Sequence, residues 1–184
     1  MSRANLALGI IAVAALAWSV NAVAIPHDLK PVTLLGAQSN KERARGFVQT
    51  LDASSFNGFF ASNGTIDHSD IMAMFQVESR FNPEAVNLND GGANNHAYGI
   101  GQMLASTAAD IGIADPNTLL NMQTGVNATL TYMVWIFEFL TPRLGRAPTR
   151  SEWIGAYNAG VGNVLLGNIP LTYMAKVNAA KIFI

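Results

Sequence analysis

The stretch from Met122 to Leu140 constrains the chain more than any other. Val126, Leu130, Met133, Val134, Phe137 and Leu140 recur at three- and four-residue intervals, which lines them up along one side of an α-helix of about five turns. A helix with one long apolar stripe has to be covered by other elements, so it reads as the central helix of a helical domain. Half of the residues are hydrophobic and 12% are charged, which suits a packed interior and argues against disorder. Neither a run of alternating strands nor an internal repeat is present. One small hairpin in the 88–100 loop is the only β structure expected, and the fold class is mainly α.

Other helices announce themselves by their starts. Ser39 and Glu42 have capping-box spacing, followed by Ala44, Phe47, Val48 and Leu51 on one face. Thr149 and Glu152 repeat the pattern before Trp153, Ile154 and Tyr157, and Gly160 is placed to end that helix. A further helix is predicted from near Asp67 or Ser69 through Arg80, with Ile71, Met74, Phe75 and Glu78 sharing a face. A short one is predicted around Ser106 to Ile111. The segment "DASSFNGFFASNGTIDHSD" favours turns, its three phenylalanines tucked against the body, and "LNDGGANNHAYGIGQ" reads as a loop. Trp135 and Trp153 are both expected in the core.

The opening of the chain is a separate object. Arg3 precedes a run from Leu6 to Ile25 whose only polar interruptions are Ser19 and Asn21. About twenty apolar residues suffice to cross a bilayer, so residues 5–25 are expected to engage a lipid membrane as an anchor. The alternative is a secretory signal cut near Ala24. Either sends the rest to the periplasmic or outer side. The expected division is therefore 1–25 signal anchor or signal peptide, 26–38 linker, and 39–184 compact domain.

Several function classes are excluded. Eleven basic and 12 acidic residues without a basic run give no nucleic-acid surface. The lack of cysteine removes disulfides, thiolate catalysis and Cys-based metal sites. His27, His68 and His96 stand far apart, without a second ligand at metal-binding spacing, so each is expected to be structural or superficial. No metal and no cofactor is expected.

Glu78 is the residue of chemical interest. A carboxylate on the apolar side of a helix loses hydration, and in the last turn it meets the negative end of the helix dipole. Both disfavour the anion, as a general acid requires. A solvated glutamate paired with Arg80 fits the same local sequence.

Three stretches in order weigh on that choice: "ESRFNPEAVN" at 78–87, "YGIGQML" at 98–104 and "AYNAGVGNV" at 156–164. Together they resemble the motifs of the soluble-type lytic transglycosylases, a lysozyme-like (α+β) family. "TAADIG" at 107–112 and "IPLTYMAKV" at 169–177 extend the likeness over residues 65–180. The resemblance implies that Glu78 is the sole acid/base, cleaving the bond between N-acetylmuramic acid and N-acetylglucosamine in peptidoglycan. The product would carry a 1,6-anhydro end, with no water consumed. Ser79 would orient the glutamate, and Gln102 would bind sugar. Gly99 and Gly101 would let the backbone approach the glycan, and Tyr157, Asn158 and Tyr173 would line the cleft. Asn87 stands where the family commonly has serine, as a contact to the N-acetyl group, and the following "NDGGANNH" is an apparent insertion. Two other functions are compatible with these residues: a lysozyme-type hydrolase, and a non-catalytic glycan-gripping component of a virion or secretion apparatus.

Overall fold

A computed structural model of the chain describes residues 39–89, 92 and 95–184. The expected membrane segment and linker, residues 1–38, lie outside these. Among the described residues, no helix is long and apolar enough to cross a membrane.

The compact domain is helical, as its periodicity demands. It opens with α1 (Asn40–Ser55), whose Ser39 and Glu42 form the anticipated reciprocal cap. The segment expected to hold only turns contains the last turn of α1 and a short helix, α2 (Phe59–Ser62). Asp52 explains why. Its buried carboxylate accepts from the Phe60 and Ala61 N–H groups at 3.0 Å each and from His68 Nε2 at 2.7 Å, so the start of α2 is satisfied from α1 rather than from a local cap. His68 thus has the structural role foreseen for it. Phe59 then meets Phe60, Phe137 and Trp153 edge to face, an arrangement aromatic quadrupoles prefer, while Phe60 stacks on Trp153.

The helix α3 (His68–Glu78) follows a capping box between Asp67 and Asp70. A three-stranded antiparallel sheet comes next: β1 (Val86–Asn87), β2 (Ala97–Tyr98) and β3 (Met103–Leu104), with Val86 opposite Tyr98 and Tyr98 opposite Met103. The expected hairpin is β1–β2; β3 was missed, because a two-residue strand has no periodicity to read. After α4 (Ala105–Asp110) and a 3₁₀ turn, α5 (Met122–Leu144) crosses the domain against α1 and α6 (Arg150–Ala159). It runs four residues beyond the predicted end and contains Pro142. The carbonyl that Pro142 leaves without an intrahelical partner belongs to Glu138, an exposed residue where water can serve it. Trp153 is fully buried and donates its indole N–H to the Met133 carbonyl at 2.7 Å, a core role as expected. Trp135 corrects its expectation: it is only partly buried on α5, stacked against Tyr132 and Phe139.

Two short elements complete the domain, α7 (Val161–Leu165) and α8 (Leu171–Lys181). The second packs along α3. Buried Asp70 accepts from Arg150 on α6 at 2.7 Å and from Lys181 on α8 at 2.9 Å. The pairing compensates the carboxylate for its lost hydration and fixes one end of α8 to the start of α3. That leaves Tyr173, near the other end of α8, beside the last turn of α3.

The second cap predicts acid behaviour. Glu152 accepts both Arg146 amino groups at 2.8 Å and the Thr149 N–H at 2.7 Å; hydrogen bonds from Arg146 outweigh its slight burial and hold its pKa at about 2, below the usual 4.5. The unfolded chain therefore binds the more protons between these values, so this contribution to stability is present above about pH 4.5 and lost as pH falls through about 2. Thermal melts across that window should show a shallower acid slope for Glu152→Gln than for the wild type.

Candidate active site

Why α3 stops where it does decides where its carboxylate points. The spacing predicts a helix that reaches Arg80. It ends at Glu78, with Ser79 as its cap, and Arg80 (φ 55°) and Phe81 (φ 63°) both adopt the left-handed conformation. For non-glycine residues this costs about 1–3 kcal/mol each. Two contacts offset it: Phe81 is 5% exposed, and the Ser79 hydroxyl donates to the Ile100 carbonyl at 2.8 Å. Pro83 lies beyond this reversal. Ser79 thus joins the end of α3 to the glycine-rich loop.

That loop, Gly99–Gln102, is fixed by close approach. Gly99 N donates to the Ala85 carbonyl at 2.8 Å. A side chain on Gly99 would meet the Leu119 carbonyl oxygen at 2.3 Å, so the glycine is needed by packing. The space at Gly101 is taken by Thr129 and by the Tyr157 hydroxyl. Gln102 is left-handed (φ 47°), and its amide NH₂ donates to the carbonyls of Ala85 at 3.1 Å and Gly99 at 2.9 Å. Two acceptors on one nitrogen set the orientation of the amide. Its oxygen remains as the acceptor for a ligand.

The other wall comes from helices. Tyr157 on α6 donates to the Gly101 carbonyl at 2.7 Å, and Tyr132 on α5 packs 5.7 Å from its ring. Glu78, Gln102, Met103, Leu104, Thr107, Tyr132, Tyr157 and Asn158 enclose an open cleft of about 200 Å³. Tyr173, 8% exposed, donates its hydroxyl to Glu78 Oε1 at 2.5 Å. Burial, and then the negative charge of Glu78, push both Tyr157 and Tyr173 well above the ordinary phenol range. Both therefore stay protonated and act as donors.

Of the residues singled out in the sequence, Glu78, Gln102, Tyr157 and Asn158 come together in the cleft, and Tyr173 touches Glu78. Ser79 and Gly99 lie behind it. Asn87 is not among the described cleft-lining residues; it sits on β1, where its side-chain oxygen accepts from Asn89 N at 3.0 Å. Thr107, Tyr132 and the Met103–Leu104 strand were missed as cleft residues. Tyr132 lies outside the apolar stripe of α5, where a helical reading gives it no partner.

The Transglycosylase SLT domain matches residues 57–167, which contain the end of α3, the Gly–Gln loop, α5 and α6. The chain belongs to this family, and the mainly helical architecture is its lysozyme-like fold. It is thereby a lytic transglycosylase domain acting on peptidoglycan. Neither the curated proteins nor the solved structures gave a match. Tyr173 falls outside the matched residues.

Proposed function

We propose that Glu78 is the single acid/base of this domain and that cleavage leaves a 1,6-anhydro-N-acetylmuramic acid end. The observation that carries the reading is the Glu78 environment: one carboxylate in a sugar-sized cleft, gripped by a buried tyrosine. Neutral Glu78 protonates the glycosidic oxygen as the bond to the anomeric carbon breaks. The N-acetyl group of the substrate stabilises that carbon. The carboxylate then takes the proton of the muramyl 6-hydroxyl as its oxygen closes on the same carbon, so the proton is returned and no water enters.

A two-carboxylate glycosidase needs a second acid across the bond. Among the described residues lining the cleft, Glu78 is the only carboxylate, which favours substrate assistance over a two-carboxylate mechanism. Gln102 and Asn158 supply amide groups for the sugar. The apolar residues 5–25 support an anchored or exported enzyme that opens the wall locally.

The mass of the released fragments tests the reaction: anhydro ends weigh one water less than the reducing ends that hydrolysis gives. Tyr173 makes a second expectation. A hydrogen bond to a charged group is worth about 1.5–3 kcal/mol, so Tyr173→Phe should lower turnover on purified peptidoglycan by roughly 10- to 100-fold. Unchanged turnover would remove Tyr173 from the mechanism.

A further inference from the structure

The aromatic wall of the cleft does not end at Tyr132. From that ring a row continues along α5: Trp135 lies 5.5 Å away with its plane 13° off, Phe139 lies 4.9 Å beyond Trp135 at 29°, and the Arg143 guanidinium stands 3.5 Å over Phe139. Helical spacing puts these four on one side of α5, and their eleven-residue span covers roughly 16 Å. None of the three rings is buried, whereas the neighbouring Ile136 and Leu140 are fully so. The row is therefore turned away from the core.

We propose that this row is a carbohydrate-binding surface that extends the Glu78 cleft, holding sugars of the same glycan strand at a distance from the scissile bond, with Trp135 as its central platform. The chemistry selects the occupant. A pyranose ring presents an apolar face of C–H groups and a rim of hydroxyls, and an aromatic face beside a polar group matches both. The Arg143 guanidinium over Phe139 supplies donors beside the rings. Centroid separations of 4.9 and 5.5 Å exceed direct face-to-face contact, so the rings are offset like steps, and all three stay partly exposed. Mutual stacking and Arg143 hold them in place before ligand arrives, which lowers the entropy lost on binding. Continuity with the cleft comes from Tyr132, which belongs to both. The inference rests on the cleft being a glycan site, and it is independent of whether Glu78 is the catalyst.

The test is calorimetric titration of the full-length chain carrying Glu78→Gln with chitotriose and chitohexaose. The longer oligomer should bind more tightly, and Trp135→Leu in that background should remove the difference, lowering hexamer affinity by roughly 3- to 10-fold while the trimer changes little. With Trp18 replaced by Phe in every variant, the hexamer-induced change in tryptophan fluorescence should vanish in Trp135→Leu, because Trp153, the one tryptophan then left, is fully buried. Trp135→Phe, which keeps a ring, should retain most of the length dependence, so a mere packing defect is separable. Hexamer binding to Trp135→Leu as tight as to the Glu78→Gln parent, with trimer binding intact, overturns the subsite and leaves the cleft reading standing. Failure of both oligomers to bind any variant overturns the glycan reading of the cleft and the subsite with it. Lytic activity surviving in Glu78→Gln removes only the catalytic assignment.

Discussion

Glu78→Gln is expected to lower the release of soluble fragments from purified peptidoglycan by about 10³-fold or more, with the melting temperature nearly unchanged. Glutamine has the shape of glutamate and keeps an oxygen for the Tyr173 hydroxyl, so the packing around the end of α3 survives. What disappears is the transferable proton. Removing a positioned general acid/base costs typically 10² to 10⁴, and Glu78 here serves in both halves of the reaction. No other carboxylate among the described residues lines the cleft to take over. Activity retained above about a tenth of wild type, where the acid/base term predicts far less, would take Glu78 out of its role.

Gly99→Ala should have the largest effect on stability. The residue sits at φ +74°, and a Cβ would fall 2.3 Å from the Leu119 carbonyl oxygen and 3.0 Å from its carbon. Backbone cannot swing aside as a flexible side-chain end can. A left-handed non-glycine costs about 1–3 kcal/mol, and forced overpacking adds typically 1–3 kcal/mol. Together they predict about 2–6 kcal/mol, which for a domain of this size lowers the melting temperature by roughly 4–24 °C. Thermal unfolding by circular dichroism measures it. If Gly99 instead served only to let glycan approach, the variant would melt like wild type and bind sugar less well. The two roles give opposite signatures.

How much was legible before the structure depends on whether the signal was local. Capping boxes at Ser39–Glu42 and Thr149–Glu152 lie within one turn and were found at their places, and the α5 stripe was visible because 3.6-residue periodicity survives over many turns. The motif residues Glu78, Gln102, Tyr157 and Asn158 were readable, and the fold brings them to one cleft. What failed was non-local. The end of α3 is set by Ser79 reaching Ile100 and by burial of Phe81, and nothing near Pro83 reveals either contact. Trp135 looked like core because hydrophobicity alone does not say which side of a helix is covered. The donor on Glu78 required α8 to lie along α3, a pairing fixed by buried Asp70 meeting Lys181 across the domain.

The central claim, one carboxylate passing a proton twice with no water consumed, is tested most directly by digesting purified peptidoglycan in water enriched in heavy oxygen and weighing the released fragments. The account predicts fragments at the anhydro mass with no heavy-oxygen label. Fragments one water heavier and carrying the label at the new reducing end would show that water attacks the anomeric carbon, and would contradict it.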